Sequence, residues 1–106
     1  MVDIEEYLNT NNFKSKQELS EETGLKERMV RNKISDLKRI KPVIYNSKTK
    51  GYRLAKNIYE INQIELEQEI ELIKHCINDI QSRKKVFDNQ LRTYIAYLKV
   101  AEKVLN

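Results

Sequence analysis

From Asn57 to Asn106 the chain has neither glycine nor proline, so nothing in that half breaks a helix or asks for a turn. Apolar side chains recur there at alternating steps of four and three: Leu66, Ile70, Ile73, Ile77, Ile80, Phe87, Leu91, Tyr94, Leu98, Ala101 and Leu105. Lys84 is the single interruption, so eleven of twelve seam positions are apolar. The repeat predicts a coiled coil, because a surface helix packed on its own globule drifts out of a 3.5-residue phase over such a length. One continuous helix of roughly 45 residues would extend about 70 Å, too far to bury its stripe against a small head. The expectation is a self-associating rod whose oligomer interface is those eleven residues, joining copies as a dimer or tetramer. Isoleucine at both seam positions from Ile70 to Ile80 leans toward more than two strands. The weak point is Ser82-Arg83-Lys84-Lys85. There the rival arrangement, two helices folding back on each other, would turn. The phase continues across it, which favours the single helix.

Composition narrows the class further. A chain of 106 residues with 40% hydrophobic and 34% charged residues is one small domain with an appended helix, too polar for a membrane protein and too apolar for a disordered one. The longest unbroken apolar run, Tyr94–Leu98, spans no bilayer, and no signal peptide opens the sequence. One cysteine allows no internal disulfide, and one histidine beside it, His75-Cys76, falls short of a zinc ligand set. On the heptad, His75 points to solvent and Cys76 flanks the seam. Glu65, Glu67, Glu69 and Glu71 resemble a catalytic cluster, but a spacing of two on a helix separates neighbours by about 200°, which predicts a solvated face. No phosphate loop and no Ser/His/Asp set is present. The expectation is a cytoplasmic protein without catalytic residues, metal or cofactor.

Residues 1–56 read as a mainly α head with a small β-hairpin. Asp3 with Glu6, and Ser15 with Glu18, are capping boxes that start two short helices. Asn9-Thr10-Asn11-Asn12 ends the first of them, and Gly24 after the second suits a left-handed turn. A third helix from about Lys26 to Arg39 carries Val30, Ile34 and Leu37 on one face and stops before Pro42. Val43-Ile44-Tyr45-Asn46 and Gly51-Tyr52-Arg53-Leu54 then form two strands around a basic tip, anchored by Ile44, Tyr52 and Leu54. Asn57 with Glu60 is a third capping box and opens the tail, residues 57–106.

Charge follows these divisions. Residues 1–25 carry a net of −4, residues 26–56 a net of +9 and residues 57–106 a net of −1. A basic segment alone also fits a solvated lysine-rich face. Placed over a helix and a hairpin, it has the footprint of a phosphate-binding surface.

The run from Ser15 to Leu37 resembles a helix-turn-helix. With Ile44 and Gly51-Tyr52-Arg53-Leu54 it is similar to the winged helix-turn-helix of the biotin-repressor type, over about half the chain. Leu19-Ser20-Glu21 matches the family's Leu–small–acid pattern, Gly24 its turn glycine and Gly51 through Leu54 its closing wing. Lys26 departs from the usual Ser or Thr helix cap, and no ligase domain follows, so that activity does not carry over. Small phage and prophage DNA-binding proteins with a helical tail look similar as well.

The resemblance makes the third helix the recognition helix. It implies base contacts from Glu27, Arg28, Arg31, Asn32 and Ser35, since Arg pairs bidentately with guanine and Asn with adenine. Lys26, Lys33, Lys38 and Arg39, with Lys48, Lys50 and Arg53 on the wing, would meet phosphates. The leading expectation is a sequence-specific regulator of double-stranded DNA in a bacterial or phage-infected cell, oligomeric through its tail. A phage-type replication or DNA-architecture accessory would bind with flatter preference. The third reading is an adaptor or inhibitor that turns the winged fold on a host protein.

Overall fold

The computed structural model, which describes residues 2–82 and 88–105, is mainly helical with one small three-stranded antiparallel sheet. A 3-10 turn at Ile4–Tyr7 leads to β1 (Lys14–Ser15), α1 (Lys16–Thr23), α2 (Glu27–Leu37), β2 (Val43–Asn46), β3 (Gly51–Leu54), α3 (Gln63–Ser82) and α4 (Asp88–Leu105).

The first expected helix is only that turn. The Asp3 carboxylate accepts from the Glu5 amide rather than completing a box with Glu6, and Asn9 Oδ1 then takes the amides of Asn11 and Asn12. The second box forms as expected, with Ser15 and Glu18 capping each other. Gly24 ends α1 in the left-handed region at φ 77°, where a Cβ is strained. β1 was not anticipated from sequence. It pairs with β3 so closely that a Cβ on Gly51 would lie 2.8 Å from Phe13 Cβ.

The sheet runs β1-β3-β2 and packs against neighbours on both faces. Val43 and Leu54, opposite each other, pack with Ile4, Leu8, Leu19, Val30, Ile34 and Leu37 in the head core. Ile44 and Arg53, the next rung, face the other way toward α3 and α4. So Ile44 anchors the hairpin to the tail, not to the head helices.

The tail departs most from expectation. Asn57 caps a tight turn instead of a helix, accepting from the Tyr59 amide through Oδ1 and from the Glu60 amide through its carbonyl. Helix α3 begins six residues later, at Gln63, with Asn62 Oδ1 accepting from the Glu65 amide. The rod is replaced by an antiparallel pair. Ile73, Cys76 and Ile80 of α3 pack with Tyr94 and Leu91 of α4, while Leu66 and Ile70 pack with Leu98, Ala101 and Leu105. Ile77 joins the first of these clusters. The seam is thus consumed inside one chain. A repeat of 3.5 specifies a helical partner but not whose helix it is, so the oligomer interface expected at these residues is corrected to an intramolecular one. Phe87 and Lys84 lie outside the described residues.

Candidate nucleic-acid interface

Three buried side chains, Val30, Ile34 and Leu37, fix the inward face of α2. The turn before it is held locally: the Ser20 hydroxyl donates to the Leu25 carbonyl, and Thr23 Oγ1 donates to the Leu19 carbonyl at 2.6 Å while accepting from the Leu25 amide. The opposite face of α2 is consequently set by geometry. Arg28, Arg31 and Asn32 are exposed on it, and Glu27 is exposed nearer the packed side at the helix start. Lys26 stands exposed at the helix start and makes no side-chain cap.

Ser35 does not belong with them. Gln90 of α4, itself buried, donates through Nε2 to both the Ser35 carbonyl and Oγ at 2.9 Å. Thr93 Oγ1 donates to the Lys38 carbonyl at 2.8 Å. Helix α4 therefore grips the carboxyl half of α2, and the hydroxyl expected to read a base is a joint between helices. Neither Gln90 nor Thr93 stood out in the sequence, because both sit one step off the apolar seam.

The flanking cations divide in the same way. Lys33 and Lys38 are half-buried, and the Lys38 ammonium sits 5.9 Å from the centroid of the Tyr52 ring. Arg39 is exposed, with Asp36 at 4.0 Å. Lys48 and Lys50 are exposed at the wing tip, which is pre-shaped: Asn46 Oδ1 accepts from the Lys48 amide at 2.9 Å, and Lys50 holds φ 54°. Arg53 is the correction. It is 4% exposed, forms a bidentate pair with Glu69 and lies over the Phe13 ring at 4.8 Å. Strand alternation aims it at the tail.

Glu69 is likewise no part of a solvated face. Besides Arg53 it accepts from the Lys56 amide at 3.0 Å, and Glu65 pairs with Lys56 Nζ. A buried carboxylate with three donors is a satisfied one. Its spacing to Ile73, Cys76 and Ile80 was the signal in the sequence, placing it on the seam flank.

The wing's outer edge is covered too. Tyr94 O–H donates to the Val43 carbonyl at 2.6 Å, and Cys76 packs in the same cluster as Ile44 of β2. Burial pushes the Cys76 thiol's pKa up and holds the Tyr94 and Tyr97 phenols well above the usual tyrosine range. His75 is exposed, as expected. Among the described residues no cluster of His, Cys, Asp and Glu could hold a metal ion, and no helix is long and apolar enough to cross a membrane.

Comparison with family models, with curated proteins and with solved structures finds no match for this chain.

Proposed function

We propose that this chain is a sequence-specific regulator that binds double-stranded DNA, with α2 in the major groove and the β2–β3 wing on the neighbouring backbone. The observation that carries the reading is the exposed face of α2. Arg28, Arg31 and Asn32 project from a helix whose other side is locked into the core; Lys26 and Arg39 are exposed at its two ends, and Lys48 and Lys50 are exposed at the wing tip. The order of turn, helix and wing supports the likeness to a winged helix-turn-helix. Base readers on a fixed helix and phosphate contacts beside it are what direct readout requires. The seam residues being occupied within the chain, the reading rests on one head per chain.

Site selection from a random duplex pool, followed by gel-shift titration across salt concentrations, tests it. The expected result is an enriched motif and an affinity that falls steeply with salt, at a slope of about −0.9 per phosphate contact. An enriched pool without a motif would favour the accessory reading. Absence of duplex binding at low salt would overturn the proposal.

A further inference from the structure

One aromatic side chain between α2 and the wing tip serves neither core. Tyr45 on β2 is 37% exposed, whereas its cross-strand partner Tyr52 is half-buried against the head core. Their ring centroids lie 5.0 Å apart at 47°. With Lys38 over Tyr52, the three side chains form a strip from the carboxyl end of α2 toward the tip cations Lys48 and Lys50. Two residues before Tyr45 the strand is held by the Tyr94 hydroxyl, which donates to the Val43 carbonyl. A tyrosine held this way loses little freedom on binding and offers a flat ring with a polar end.

We infer that Tyr45 is a phosphate-contacting residue for duplex DNA: its ring braces on Tyr52 and its phenol O–H donates to a backbone phosphate oxygen. The contact rests on the DNA-binding reading above. A duplex seated on both α2 and the wing tip passes over this strip, and the cations Lys38, Lys48 and Lys50 draw phosphate toward it. Tyrosine hydroxyls are among the neutral donors that fix a protein's position on the duplex without reading its sequence.

Tyr45→Phe tests the assignment, because it keeps the ring pair and the wing while removing only the donor. Binding is measured by salt-titrated gel shift on the selected site and on random duplex, beside Lys50→Ala and the unaltered chain. The expected result is about a threefold to tenfold loss for Tyr45→Phe on both duplexes, at an unchanged salt slope since no charge is lost. Lys50→Ala should shallow that slope by about 1. Unaltered affinity in Tyr45→Phe, or a loss confined to the selected site, overturns the phosphate contact while leaving DNA binding intact. An unaltered chain that shows no salt-dependent duplex binding sinks the reading itself, a different outcome.

Discussion

Arg31 and Asn32 are exposed one and two residues after Val30, which is fully buried, so their placement depends on packing behind them rather than on their own contacts. Arg31→Ala should cost about 1–3 kcal/mol of specific binding and relax sequence preference, whereas Lys50→Ala should weaken every duplex alike. Gel shifts on matched and mismatched sites separate the two. Arg53 behaves oppositely to these surface cations. Removing it leaves the Glu69 carboxylate buried without its partner, so Arg53→Ala should lower stability by about 3–5 kcal/mol, read by urea unfolding. Replacing both Arg53 and Glu69 with methionine should recover much of that loss, because a buried ion pair adds little over well-packed apolar side chains. Ser35→Ala, by contrast, should change thermal stability through Gln90 and leave site preference alone.

At the scale of elements, local capping and periodicity placed the two helices of the head. Ser15 with Glu18 places α1, Gly24 places the turn, and Val30, Ile34 and Leu37 orient α2, each through an interaction spanning only a few residues. What depended on distant partners was not legible. β1 exists because Lys14 and Ser15 meet Tyr52 and Gly51 across the fold, and a two-residue strand has no pattern of its own. The same holds for the inward aim of Arg53 and the grip of Gln90 on Ser35, which arise only once α3 and α4 fold back. Three groups on those helices give direct readouts. Cys76, its thiol pKa raised by burial, should react with an alkylating reagent far more slowly than a free thiol at pH 8, the rate following unfolding. Tyr94 and Tyr97 ionise more readily in the unfolded chain than in the fold. Their contribution to stability is therefore complete below the unfolded tyrosine pKa of about 10 and lost as pH climbs above it. Urea unfolding across that range should show the decline, reduced in Tyr94→Phe.

For the whole molecule, the decisive matter is where the seam is spent. Ile73 is fully buried between α4 and the sheet, so Ile73→Ala should cost about 2–5 kcal/mol. Because the partner helix belongs to the same chain, the melting temperature should not vary with protein concentration; a rod assembled between chains would melt higher as concentration rises. A fragment ending at residue 57 would expose Ile44 and Phe13, which otherwise pack on α3 and α4, and should fail to unfold cooperatively by circular dichroism.

The cover over β2 also has a consequence in time. A ribosome releases the wing before it releases Tyr94, which lies 48 residues beyond Asn46. At ordinary elongation speeds that interval lasts about 2–10 s. Through those seconds the nascent strand offers its bare margin to any passing backbone, so a neighbour can zip onto it before its own cover has been made.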